Sequence, residues 1–292
     1  MSREADSEEG GGADGGADGA ERRIMAVVLT HNAPESLDRC LRAIAGQSVP
    51  PEAVLVVDNA SRPPATIGSA IASPVPTRVV RSETNTGPAG GYAQALGEFV
   101  GSGFGHAWVL DDDMYPEPEC LDRLWAVAEK DPESAFVFPI SRQPDGSLGL
   151  FPSWCGFIVA RQVVEAVGLP RSELFWWAED TEYLQCRIPD RGYQRQVVND
   201  AIVNHDAIRQ GDGVPLWKYY YEARNTLYVH LYVKRKVGRY PRSVSKLFGR
   251  ALLREKDGRL RRLAVMARGL ADGARGRLGI RYPVEPMRER PR

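Results

Sequence analysis

The chain has 292 residues, 43% hydrophobic and 26% charged, with a formal net charge of zero. That is an ordinary soluble globular composition with enough apolar material for a sizeable core, and its overall balance singles out no partner. No apolar run approaches the roughly 20 residues of a membrane span, and Cys40, Cys120, Cys155 and Cys186 are too scattered for a zinc site or a disulfide scaffold, so a reducing cytoplasm fits best.

Residues 1–21 are acidic and Gly-rich, unlike a signal peptide, and read as a disordered tail. Order is expected from "IMAVVLT" (24–30), a continuous aliphatic run of the kind found in a buried parallel strand. "HNAPESLDRCLRAIAGQ" then carries Leu37, Leu41 and Ile44 at helical spacing, with Pro near its start and Gly46 near its end. "AVLVVDNAS" and "TRVVRS" read as strands, "ETNTGPAGGYAQALGEFV" as a Gly-rich turn and helix, and "HAWVL" as a fourth strand. This alternation predicts an α/β fold, a mostly parallel sheet with helices on both faces and its ligands beyond the carboxyl ends of the strands.

Further along, a helix is expected at about 116–129, then an apolar run "SAFVFPI", a loose stretch over 141–154, and a returning strand "WCGFIVA". Residues 178–192 read as a helix closed by Gly192, "VPLWKYYYEARNTLYVHLYVKRK" as a long aromatic helix, and "SVSKLFGRALLREKDGRLRRLAVMARGLADG" as a basic amphipathic one. Charge is uneven: residues 231–292 hold 19 Lys/Arg against 5 Asp/Glu, leaving 19 against 33 for residues 1–230. The expected division is a tail (1–21), a main domain (22–230) and a basic helical extension (231–292). The extension is either an anion-seeking appendage, such as one for an anionic membrane surface, or a solvated Arg-rich helix.

The chemistry concentrates at strand ends. "HAWVLDDDMY" ends a buried strand in Asp111, Asp112 and Asp113, which repel one another unless water, donors or a cation attend them. Alternate residues of a strand project the same way, so Asp111 and Asp113 can share a divalent cation while Asp112 points elsewhere. His205, after another short apolar run, could add an imidazole and tilt the preference from Mg²⁺ toward Mn²⁺, or be simply structural. Glu179 and Asp180, behind the aromatic run Phe175-Trp176-Trp177, are candidate general bases or an acidic first helical turn. Thr30 and Asp58 are candidate contacts to a base or ribose, and Asn85 lies at the same edge. Gly90 and Gly91 would let a backbone approach a ligand, with a helix N-terminus behind them.

Taken in order, "VVLTHN", "VVDNAS", "NTGPAGG", "WVLDDDM" and "FWWAEDTEYLQCR" resemble the GT-A fold, family 2 glycosyltransferases, from about Ile24 to about Asn225. Within the family the chain is most similar to bacterial galactofuranosyl- and rhamnosyltransferases. The resemblance implies a metal-dependent inverting transfer of a sugar from a uridine or deoxythymidine diphosphate donor to a hydroxyl of a cell-envelope glycan or polyprenyl-diphosphate-linked acceptor. It assigns the nucleotide to Thr30 and Asp58, with Asn85, Gly90, Asp111 and Asp112 beside it. It assigns Mn²⁺ or Mg²⁺ to Asp111, Asp113 and His205, catalysis to Asp180, and the acceptor side to Trp154, with Trp177 and Glu179 expected as further substrate contacts. A cytoplasmic enzyme, peripheral on the inner face of the plasma membrane, is expected, with no nucleic-acid partner.

Two rival enzyme classes fit less well: a dehalogenase-like phosphatase wants its acidic motif after the first strand, and a sugar-nucleotide pyrophosphorylase wants a basic Gly-rich loop there. A non-catalytic nucleic-acid or membrane-binding module on a degenerate version of the same fold remains the alternative, motivated by the basic extension.

Overall fold

The computed structural model describes residues 23–67, 75–206, 214–235 and 258–284, with Ser245, Phe248 and Gly249. The expected N-terminal tail and most of residues 236–257 lie outside the described residues.

The first half follows the expected alternation: β1 (Ile24–Thr30), α1 (Pro34–Ala45), β2 (Ala53–Asp58), β3 (Thr77–Arg81), α2 (Gly87–Val100) and β4 (His106–Asp111). Every residue of β1 is buried, as an aliphatic strand must be when both faces of its sheet are covered. The order β3-β2-β1-β4 is parallel throughout. Its register pairs Thr30 with Asp58 and Leu29 with Asp111, so all three polar residues stand at one carboxyl edge.

Beyond β4 the sheet becomes mixed. Its elements are β5 (Met114–Pro116), α3 (Cys120–Ala128), β6 (Phe136–Arg142), β7 (Leu148–Gly149), β8 (Cys155–Ala160), α4 (Arg161–Val167) and β9 (Gln196–His205). The returning strand β8 joins β4 antiparallel, β9 joins β6 in parallel, and the short β5 lies antiparallel on β9 at the edge. Opposite the shift between Val109 and Leu110, Gly156 takes a φ of 90°, and its carbonyl accepts from Trp108 Nε1 at 2.8 Å. The extra residue lies on β8, and beyond it the Asp111 amide still donates to the Trp154 carbonyl at 2.9 Å.

Three elements depart from expectation in detail. The helix expected from about 116 begins only at Cys120, and residues 114–116 form a strand, because Tyr115 and Glu117 each precede a proline and are pushed toward extended backbone. The helix expected over 178–192 is α5 (Glu179–Glu182), a widened turn (Tyr183–Arg187) and α6 (Ile188–Asp190). Pro189 has no N–H to return to the carbonyl four residues earlier, and the ladder widens to five. The aromatic helix α7 (Leu216–Tyr228) ends in a second widened turn, Val229–Val233.

Helix α8 (Arg259–Ala274), from the basic extension, lies against α7. Gly269 and Gly273 permit this closeness, since a Cβ on either would overlap the Tyr220 or Arg224 carbonyl oxygen. Met266 packs on Tyr219 and Ala223, and the Tyr220 hydroxyl donates to Asp272 Oδ2 at 2.7 Å. Among the described residues no helix is long and apolar enough to cross a membrane.

Candidate active site

The acidic trio diverges: β4 ends at Asp111, Asp112 and Asp113 lie in the turn after it, and the three carboxylates meet different partners. The Thr30 hydroxyl donates to Asp112 Oδ2 at 2.6 Å, so Asp112 faces the end of β1. Burial pushes its carboxyl up to about 7, against the pull of that donor. Asp111 takes the Tyr92 hydroxyl, which also reaches the Leu110 carbonyl at 3.1 Å. Burial, and then the charge of Asp113, hold the Asp111 carboxyl well above the usual carboxylate range, and Asp112 and Glu179 add to the push. Asp113 faces across to β9, with its Oδ2 3.5 Å from His205 Nε2. The β5–β9 pairing causes this, since it sets Met114 opposite His205.

Glu179 comes into the same cluster from the other side. It is buried, and its pKa is raised by burial first and then by Asp180. Glu179 Oε2 and Trp154 Nε1 are both buried without a hydrogen bond of good geometry, yet the indole lies near enough to favour the carboxylate. Asp180 is part-exposed, accepts from the Thr181 amide, and is raised by burial while Lys234 opposes the shift. Acids from β4, from the turn after it and from α5 thus lie close enough at the mouth of the sheet to raise one another's pKa.

A divalent cation fits this chemistry, because the cluster is acidic, raised in pKa by burial and then by mutual repulsion, and flanked by an imidazole. Among the described residues no three His, Cys, Asp or Glu side chains form a ready-made cage. Asp111 is turned to Tyr92 while Asp113 faces His205. Mg²⁺-type sites ordinarily complete themselves with substrate phosphates and water, so two protein carboxylates suffice.

Several expected contacts take another form. Asp58 is fully buried: Oδ1 accepts from the Ser61 amide (2.8 Å), Oδ2 from the Ala65 amide (3.0 Å), and Arg81 pairs with it. Burial raises its pKa, the Ser61 and Ala65 donors and Arg81 outweigh that, and the carboxyl ends below its usual range. Asp58 therefore shapes the 58–65 turn instead of offering a free oxygen. The glycines of "NTGPAGG" likewise make room for protein, not ligand: Gly87, at φ 67°, lies on the Phe175 carbonyl, Gly90 on the Thr86 side chain and Gly91 on Leu29. The first turn of α2 is also occupied, with the Ala89 amide on the Phe175 carbonyl. Trp154, expected at an acceptor pocket, is 3% exposed and stacks on Tyr92 at 3.9 Å. Trp177, 39% exposed with its indole N–H on Thr226 Oγ1 at 3.3 Å, is the aromatic that faces outward.

Sequence reasoning missed Tyr92, Asn59 and His31. Asn59 is buried and ties the Thr86 amide (2.9 Å) to the Gly87 carbonyl (3.0 Å). His31 Nε2 lies 3.1 Å from Asn85 Nδ2, joining the ends of β1 and β3. Asn59 stood in view beside Asp58 in "VVDNAS", but nothing local distinguishes Tyr92 from any core aromatic.

An α/β sheet with a carboxylate cluster at its open edge is the GT-A arrangement, and comparisons agree. The pattern described as glycosyl transferase family 2 matches residues 25–176. The chain belongs to that family. It is 25% identical over 189 residues to galactofuranosyltransferase GlfT1 of Mycobacterium tuberculosis, covering 54% of this chain and 62% of that one. It is 27% identical over 191 residues to GlfT1 of Mycolicibacterium smegmatis, covering 54% and 63%. The matched stretch thus spans less than two thirds of these curated relatives. Among solved structures, S. aureus TarS resembles the fold with a TM-score of 0.57 at 16% identity, over 87% of this chain and 49% of that one. The 1–349 fragment of TarS in complex with UDP-GlcNAc gives 0.57 at 16% identity, over 86% and 80%.

Proposed function

We propose that the protein is a metal-dependent inverting glycosyltransferase that takes a sugar from a uridine or deoxythymidine diphosphate donor to a hydroxyl of a cell-envelope glycan or a lipid-linked acceptor. The observation that carries this reading is the approach of Asp111 and Asp113, Glu179 and His205 from three separate stretches of chain. Galactofuranose is the favoured sugar, because the curated relatives are galactofuranosyltransferases; rhamnose is the second choice. UDP-GlcNAc bound to a protein of this fold supports a nucleotide sugar as donor.

In this reading Thr30, Asn85 and the Asp58 turn line the nucleotide side, with Asp112 fixed by Thr30. Asp111, Asp113 and His205 would hold Mn²⁺ or Mg²⁺, which neutralises charge on the departing diphosphate. Asp180, part-exposed beside the open Trp177, takes the proton from the attacking hydroxyl. Burial raises its pKa, which makes its carboxylate a stronger base than that of an exposed aspartate. Glu179 lies behind it, buried against Trp154, with its carboxyl pushed up to about 8 by burial and by Asp180. Attachment to an anionic membrane surface through the basic extension belongs to the same proposal.

The deciding experiment is a transfer and donor-hydrolysis screen across sugar nucleotides with Mn²⁺ or Mg²⁺. Turnover of one donor that stops on chelation supports the reading; no turnover and no nucleotide affinity would remove it.

A further inference from the structure

Arg224 and Asn225, conspicuous in "YYYEARN", take no part in the chemistry above, yet both are fully buried on α7. Their side chains are committed mainly to backbone carbonyls of the 173–177 loop. Asn225 Nδ2 donates to the carbonyls of Leu174 (2.8 Å), Trp176 (2.8 Å) and Trp177 (2.9 Å). Arg224 Nη2 donates to Leu174 (2.9 Å) and Glu173 (3.3 Å), Nη1 to Gly279, and Nε to Asn225 Oδ1 at 2.7 Å. The guanidinium also lies 4.7 Å from the centroid of the Tyr221 ring.

The loop so held is strained. Phe175, Trp177 and Ala178 have φ of 62°, 76° and 65°, and none is glycine. Side chains at positive φ persist only where their surroundings over-determine them. The next two residues are Glu179 and Asp180, so the Ala178 backbone sets where α5 begins and where both carboxylates point.

We infer that Asn225, locked in place by Arg224, is a positioning residue for the catalytic carboxylate. It fixes the strained Leu174–Ala178 turn by three carbonyls and thereby aims Asp180; this rests on the proposed role of Asp180 as base. The C-terminal segment is part of the same clamp. The Gly279 amide donates to Glu173 at 2.7 Å, its carbonyl accepts from Arg224, and α8 lies on the Arg224 backbone.

The test is Asn225→Ala in the full chain, read three ways. Expected are uridine diphosphate binding within about twofold of the parent, kcat lower by about a hundredfold with donor KM little changed, and faster hydrogen exchange of amides 174–180 while β1 and β4 keep their protection. Unchanged kcat, unchanged loop exchange, or loss of nucleotide binding in step with kcat would each overturn the inference. Exchange needs no turnover, so a parent chain inactive on every donor would sink the transferase reading while the loop measurement still decided the clamp. Should the alanine variant not fold, Asn225→Ser and Arg224→Lys, which remove fewer contacts, are read in the same way.

Discussion

His205 Nε2 stands 3.5 Å from Asp113 Oδ2 although 92 residues separate them in sequence. The pairing of β5 with β9 creates that contact, and it is the part of the site nearest to a finished metal-binding pair. Replacing His205 with Ala should raise the Mn²⁺ concentration for half-maximal turnover by about tenfold or more, a loss on the scale seen when metal-site partners are removed. An unchanged metal titration would assign His205 to structure alone.

Stability should depend on pH in a direction set by the raised acids. Burial lifts Asp112 to about 7 in the folded chain, while an unfolded Asp releases its proton near 4. The unfolded state therefore ionises first, and folding stability falls as pH rises from about 4 to about 7. Thermal unfolding without metal should give a higher Tm at pH 5 than at pH 7.5, and Mn²⁺ should shrink the difference. A Tm that climbs steadily over this range would contradict the burial of the cluster.

The base assignment predicts that Asp180→Asn lowers transfer by about a hundredfold or more, the usual contribution of a positioned general base. Metal-dependent nucleotide binding, measured by calorimetry, should stay nearly intact. Full turnover in this variant would return the role to Glu179 or to solvent.

Tyr92→Phe isolates one hydroxyl. The ring keeps its stacking on Trp154, but Asp111 loses the donor that lowers its pKa. The expected result is a steeper loss of metal activation on acidification than the parent shows, with a stability cost of about 1 kcal/mol for a lost hydrogen bond. A pH dependence of metal affinity unchanged from the parent's would show that the hydroxyl does not tune the carboxylate.

The glycine seam between α7 and α8 can be tested directly. Gly273→Ala places a Cβ against the Arg224 carbonyl, and overpacking of this kind costs about 1–3 kcal/mol. Chemical denaturation should show that loss. A neutral substitution would mean that the helix shifts freely and that the C-terminal segment is not part of the clamp.

Local sequence determined the elements and the edge on which chemistry stands. Aliphatic runs such as "IMAVVLT" and "HAWVL" have no stable home except a covered sheet, and the polar residues that end them must lie at its rim. Alternation is expected to put Asp111 and Asp113 on one side with Asp112 turned away. Asp112 meets Thr30, but Asp111 meets Tyr92 and Asp113 meets His205, because Asp112 and Asp113 lie in a turn instead of a strand. Tertiary structure alone decided which of those residues remain open. Asp58 was drawn inward by Ser61, Ala65 and Arg81, Trp154 by Tyr92, and the glycines of α2 by Phe175, Thr86 and Leu29. The physical reason is that a strand end specifies position, whereas exposure depends on every chain segment that packs there later. Asn225 reaches its loop from 48 residues or more away, a separation at which no periodicity in the sequence carries information.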